Sequence, residues 1–184
     1  GSINLARMVT FTDNDVVMDW DRLARVTHTA VHLLDNVIDM NQYPISEIAD
    51  MSRTTRRIGV GVMGWSDLLV EMGIRYDSQE ALDLAEQVMK YIQEESYKAS
   101  GNLVDSRGTF PAWDGSAYNN SSTYRKMRNS APVTIAPTGT ISIIAGASSG
   151  RSEEHTPEPQ SLVNLVSRFR LEKKKKYHTT VRHL

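Results

Sequence analysis

The 184 residues contain no cysteine. Disulfides, cysteine-ligated zinc and thiol catalysis are therefore excluded within them. No apolar run approaches the roughly 20 residues needed to span a bilayer, so no membrane partner is expected. No basic segment followed by an apolar stretch opens the chain, and no secretory signal is expected. No Gly-Lys-Ser/Thr closes a Walker A loop, and no His-Glu-x-x-His is present. What is present is 40% hydrophobic residues, enough for a core and against wholesale disorder. The length fits one domain, or one piece of a larger one.

The net charge of −1 hides an asymmetry. Residues 1–150 carry 13 Lys+Arg and 18 Asp+Glu, a net of −5; residues 151–184 carry 8 and 4, a net of +4. The acidic body argues against general nucleic-acid binding. The tail, with Lys173, Lys174, Lys175 and Lys176 in a row, reads either as a solvated charge run or as a basic arm. The boundary expected from this shift separates 1–150 from 151–184.

Residues 2–10 alternate roughly with period two and suit a strand, and 12–15 suit a turn. From Asp19 to Met40, Trp20, Leu23, Ala30, Val31, Leu34, Val37 and Ile38 recur at three and four, which predicts a helix. Val26, Leu33 and Met40 lie off that stripe, so cover on more than one side is expected. Pro44 ends the helix and opens a short one over Ile45 to Met51. Ile58 to Val62 suits a buried strand feeding a helix over Trp65 to Met72, with Gly73 as its stop. Asp77 as N-cap and Glu80 reaching back predict a helix to about Ala99. Residues 101–130 read as a long loop, 133–136 as a strand and 137–140 as a tight turn into a last helix. Strands alternating with helices give an α/β class with parallel pairing.

Pro137-Thr138-Gly139-Thr140-Ile141-Ser142 carries the strongest chemical signal. A strand precedes it and a helix follows, so unpaired amides and partial positive charge face its approach. Gly139 leaves the backbone open to an anion, and three hydroxyls stand ready to donate. An ordinary Ser/Thr helix cap uses the same residues. Gly59, Gly61 and Gly64 have dinucleotide-fingerprint spacing, but close packing of strand on helix explains them better. His28 and His32 share a helix face and suit a metal, yet a structural role is favoured. Asp35, Asn36 and Asp39 interrupt an apolar helix end; buried carboxylates need partners, and Arg56 or Arg57 are near enough in sequence to supply them. Trp65 and Trp113 read as packing residues.

Four segments occur here in an order similar to that in ribonucleotide reductases: Gly1 to Leu5, Leu34-Asp35-Asn36-Val37-Ile38-Asp39, Arg57 to Gly64, and Ala136 to Ser142. The chain most closely resembles the adenosylcobalamin-dependent, class II enzymes over residues 1–150. That resemblance implies an inner portion of a ten-stranded α/β barrel built from two half-barrels around a finger loop. It implies that Pro137, Thr138, Gly139, Thr140 and Ile141 bind the phosphates of a ribonucleotide substrate. It implies adenosylcobalamin as cofactor, a thioredoxin-type reductant and a cytoplasmic setting. Family chemistry uses a cysteine thiyl radical in an Asn-x-Cys-x-Glu loop and a redox cysteine pair; the loop and at least one redox cysteine are expected just before a strand like Gly1 to Leu5. None is in this sequence, so these residues alone are expected to have no turnover. The equivalent piece of a class I large subunit, served by a metal-containing partner subunit, and a non-catalytic nucleotide-phosphate-binding module are the alternatives.

After Gly150 the family continues Ile-Glu-Pro, whereas this chain reads Arg151-Ser152-Glu153-Glu154-His155-Thr156. That run, through Pro157-Glu158-Pro159-Gln160-Ser161, resembles a translated sequencing adapter, so residues 151–184 are expected to be a non-native tail without function.

Overall fold

The computed structural model describes residues 1–13, 15–120, 122 and 124–150; the adapter-like tail, and any boundary at residue 150, lie outside them. The first strand is shorter than the alternation suggests. β1 spans Ser2–Asn4, and the chain then tightens into a 3₁₀ turn at Leu5–Arg7, where the Ala6 amide donates to the Asn4 side chain. The end of the expected strand forms β2 (Val9–Phe11), which pairs antiparallel with a strand the sequence did not announce, β3 (Val16–Met18). The expected turn closes this hairpin, with the Thr12 amide and hydroxyl each donating to the Asp15 carbonyl at 2.8 Å.

α1 runs Trp20–Met40, capped by the Asp19 carboxylate accepting from the Arg22 amide. Its buried stripe is Leu23, Thr27, Val31, Asp35 and Ile38, a helical repeat that faces the core. Val26 packs against that core, but Leu33 and Met40 are exposed, so the second side is not covered by the described residues. α2 spans Ser46–Thr55, one turn longer than Pro44 alone predicts, and ends on Arg56 in the left-handed region.

β4 (Gly61–Met63) pairs parallel with β1, Ile3 opposite Val62. Val60 bridges Val133, also parallel. The expected strand at 133–136 is thus one bridge in length. α3 (Trp65–Met72) stops at Gly73, whose φ of 71° suits a residue without Cβ.

α4 corrects two expectations. It spans Gln79–Arg107, well past Ala99, and its cap is Ser78, not Asp77. The Ser78 hydroxyl accepts from the Ala81 amide, while Asp77 pairs with Arg75 in the preceding turn. Ser78→Ala should therefore cost about 1 kcal/mol and Asp77→Ala close to nothing, as read by denaturant midpoints of the two variants.

α1 and α4 lie against each other, closing a core of Leu23, Val31, Val60, Leu68, Val88 and Ile92. Each such side chain contributes roughly 2 kcal/mol through apolar area removed from water. A smaller cluster of Phe110, Trp113 and Met127 forms under the loop after α4. Trp113 is a packing residue, as expected, and its indole donates to the Arg125 carbonyl. Trp65 packs partly buried on the main core. Tyr118 donates to the Ser130 carbonyl; burial first, then Tyr97, pushes its hydroxyl up to about 12. α5 (Gly139–Ala145) is the last described helix. Among the described residues no helix is long and apolar enough to cross a membrane.

Candidate functional site

The parallel arrangement of β1, β4 and the Val133 segment sets where a ligand would meet this fold. Ligands of parallel α/β sheets sit beyond the carboxyl ends of the strands, and Pro137 to Ser142 lies just past such an end. Thr138 takes the position before α5 with φ 57° and ψ 20°, an unusual conformation for a β-branched residue. The first intrahelical hydrogen bond runs from the Ser142 amide to the Thr138 carbonyl at 2.9 Å. The amides of Gly139, Thr140 and Ile141 precede it and are the helix's orphan donors.

The five expected site residues therefore lie together, but their roles divide. Gly139, Thr140 and Ile141 are exposed, as is Pro137, whereas Thr138 is buried. A methyl group added at Gly139 meets nothing within 4 Å, so the backbone there is open to approach. Two of the three hydroxyls are already engaged: Thr138 Oγ1 accepts from the Gly150 amide at 2.6 Å, and Ser142 Oγ donates to the Gly139 carbonyl at 2.9 Å. Thr140 keeps the exposed hydroxyl.

The segment after α5 folds back to hold this turn, a feature the local sequence does not announce. The Gly64 amide donates to the Ser148 carbonyl at 2.8 Å, and Ser148 donates its amide to Asp67 Oδ2 at 2.6 Å.

The Gly59–Gly61–Gly64 spacing is filled by protein. Side-chain atoms of Thr134 occupy the place of a Cβ on Gly59, and the Thr134 carbonyl oxygen lies 2.5 Å from one built on Gly61. Gly64, at φ 73°, is crowded by the Asn4 side chain. Strand packing is thus their use, and no dinucleotide approaches through them.

His28 and His32 do not converge on one point. His28 Nε2 lies 2.8 Å from Glu95, and His32 Nε2 lies 2.9 Å from an Arg107 nitrogen. Glu95 also accepts from Lys98 at 2.6 Å; that hydrogen bond, helped by His28 and opposed by burial, lowers its carboxyl pKa. Among the described residues no group of three His, Cys, Asp or Glu is placed to hold a metal ion.

The expected carboxylate–arginine pairing is present and larger than the sequence suggests. Asp35, fully buried, accepts from Arg56 Nε at 3.0 Å and Nη2 at 2.8 Å. It also accepts from Arg107 Nη1 at 2.8 Å and Asn129 Nδ2 at 2.9 Å. Arg56 reaches Asp39 as well, at 2.8 and 2.9 Å. Burial pushes the Asp35 carboxyl up, but hydrogen bonds from Arg56, Arg107 and Asn129 outweigh it and leave its pKa lowered. This hub ties α1, α2, α4 and the 128–130 segment together.

A cleft of about 280 Å³ lies between the β2–β3 hairpin, Trp20, Ile74 and Leu84. It is remote in sequence from Pro137 to Ser142, and its lining includes Asp15 and Glu80, which do not suit a phosphate.

The model of the ribonucleotide reductase barrel domain matches residues 1–126. A vitamin B12-dependent ribonucleoside-diphosphate reductase of Thermoplasma acidophilum is 50% identical over 149 residues, covering 81% of this chain and 19% of that protein. One of Mycobacterium tuberculosis (strain H37Rv) is 47% identical over 150 residues, covering 82% and 20%. A ribonucleoside-diphosphate reductase subunit alpha of Chlamydia muridarum is 37% identical over 118 residues, covering 64% and 11%. The chain spans about a fifth or less of the length of these relatives.

Proposed function

The chain belongs to the ribonucleotide reductase barrel-domain family, and from that premise we propose that it is an inner piece of a class II ribonucleoside-diphosphate reductase. In this reading the piece carries the loop that holds the substrate's phosphates: Pro137 and Thr138 shape the turn, and the amides of Gly139, Thr140 and Ile141 with the Thr140 hydroxyl meet the anion. The observation that carries it is the 47–50% identity to vitamin B12-dependent reductases across four-fifths of the chain. The lower identity to a subunit alpha, 37%, favours class II over class I.

The described residues bear parallel strand contacts at β1, β4 and Val133 but not a closed barrel. Leu33, Val37 and Met40 on α1, and Ile143 and Ile144 on α5, are exposed. Strand edges and apolar faces of this kind suit a segment covered by the rest of a ten-stranded barrel and disfavour a stand-alone binding module. The radical cysteine, the redox pair and the contact with a thioredoxin-type reductant belong, in this reading, to other segments of a cytoplasmic enzyme.

Adenosylcobalamin would supply the radical initiator of that enzyme. Its cobalt is held by the corrin ring of the cofactor itself, and no side chain among the described residues is assigned to it. In this reading the work of the described residues is to bind and orient the substrate.

Sequencing the coding DNA across the Gly150 codon tests whether this is a piece of such an enzyme. The expected frame continues Ile-Glu-Pro after Gly150, with Asn-x-Cys-x-Glu upstream of Gly1. A start codon at Gly1 followed by a confirmed Arg151 to Leu184 frame would overturn the reading.

A further inference from the structure

We propose that Asp67 is a positioning residue for the phosphate turn and acts on it through the backbone of Ser148; this rests on the reading of Pro137 to Ile141 as the substrate-phosphate loop. Asp67 is the third residue of α3. An acidic residue there ordinarily turns back to cap the amide at its own helix start. That amide, on Gly64, is instead taken by the Ser148 carbonyl at 2.8 Å. The Asp67 carboxylate accepts the Ser148 amide at 2.6 Å. Donor and acceptor of one residue are thus gripped from the start of α3, much as a neighbouring strand would grip them.

Two residues on, the chain meets the turn. The Gly150 amide donates to Thr138 Oγ1 at 2.6 Å. Gly150 is closely packed: a Cβ on it would collide with the Val62 carbonyl oxygen and lie 3.0 Å from that of Ala136. Thr138 holds φ 57°, and its side chain and carbonyl are both tied, to Gly150 and to Ser142. The direction of the Gly139, Thr140 and Ile141 amides follows from that conformation. Asp67 therefore sets the aim of the turn through a contact with Ser148 that spans 81 residues of sequence. A carboxylate that merely favoured the start of α3 would act on stability alone.

The test compares Asp67→Ala and Asp67→Asn in the full-length reductase. Asparagine keeps an oxygen that accepts from Ser148; alanine does not. Asp67→Ala should raise KM for a ribonucleoside diphosphate about tenfold with kcat little changed, because phosphate contacts hold substrate and transition state alike. Asp67→Asn should stay within about twofold of the parent, and affinity for the nucleoside without phosphates should move in neither variant. Should the alanine variant fail to fold, Asp67→Ser, too short to reach Ser148 yet tolerated in a first helical turn, must reproduce the KM rise. A parental KM accompanied only by a lower melting temperature overturns the proposal, as does equal loss of nucleoside and diphosphate affinity. Failure of the underlying reading shows separately: the parent enzyme itself would then bind the diphosphate no better than the nucleoside.

Discussion

Asp35→Ala is expected to destabilise the protein by about 4 kcal/mol, because it strands buried guanidinium charge rather than merely removing a bond. Arg56 is 4% exposed and keeps only Asp39, itself half exposed, as a charged partner, beside the Asp35 backbone carbonyl. Arg107 and the Asn129 amide each lose one of their acceptors in the same change. Chemical denaturation of the two proteins at neutral pH reads the loss. The hub also sets acid sensitivity. Hydrogen bonding to Arg56 leads the lowering of the Asp39 pKa, and Asp35 is lowered likewise, both from an unfolded value of 3.8. A depressed folded pKa gives stability that is complete above the unfolded value and disappears as pH falls through the folded one. The melting temperature should hold steady from pH 7 to about pH 5 and drop below about pH 4. Asp35→Asn should flatten that acid limb.

Gly61→Val is expected to cost about 3 kcal/mol, since its Cβ would meet a backbone carbonyl, that of Thr134, at 2.5 Å in a fully buried strand. A carbonyl cannot swing aside as a flexible side chain can, so the strands must part. Gly139→Ala is the matched contrast. Open space surrounds that position, and alanine there should leave stability unchanged or raise it by about 0.5 kcal/mol. The same methyl group should weaken binding of a ribonucleoside diphosphate by obstructing approach to the backbone. Thermal melts with and without the nucleotide separate a glycine needed for packing from one needed for the ligand.

What was legible in the sequence was whatever repeats or punctuates locally. Trp20 to Met40 shows its helical stripe over six turns, Gly73 stops α3, and the unpaired carboxylates of Asp35 and Asp39 call for an arginine that Arg56 provides. The turn proposed to hold phosphate stands out because a strand, a Thr/Gly-rich turn and an apolar run adjoin. Three-residue strands such as Val16–Met18 are too short to show a period. Gly101 and the polar residues around it read as loop, but tertiary packing keeps them helical. Ser100 donates to Asn129, and the small residue at 101 lies close to the Lys126 carbonyl. Asp77 and Ser78 are both good caps, and pairing of Asp77 with Arg75 decides between them. Neither Arg107 at the Asp35 hub nor Asp67 at Ser148 has a local signal, because each contact spans more than 70 residues.

Turnover of the full-length protein tests the central claim most directly: deoxyribonucleotide formed from a ribonucleoside diphosphate, with a dithiol reductant, measured with and without adenosylcobalamin. The account predicts product only when adenosylcobalamin is present, and loss of saturation at ordinary substrate concentration in Gly139→Ala. Absence of deoxyribonucleotide, or its formation without cobalamin on addition of a metal-containing partner subunit, would contradict it.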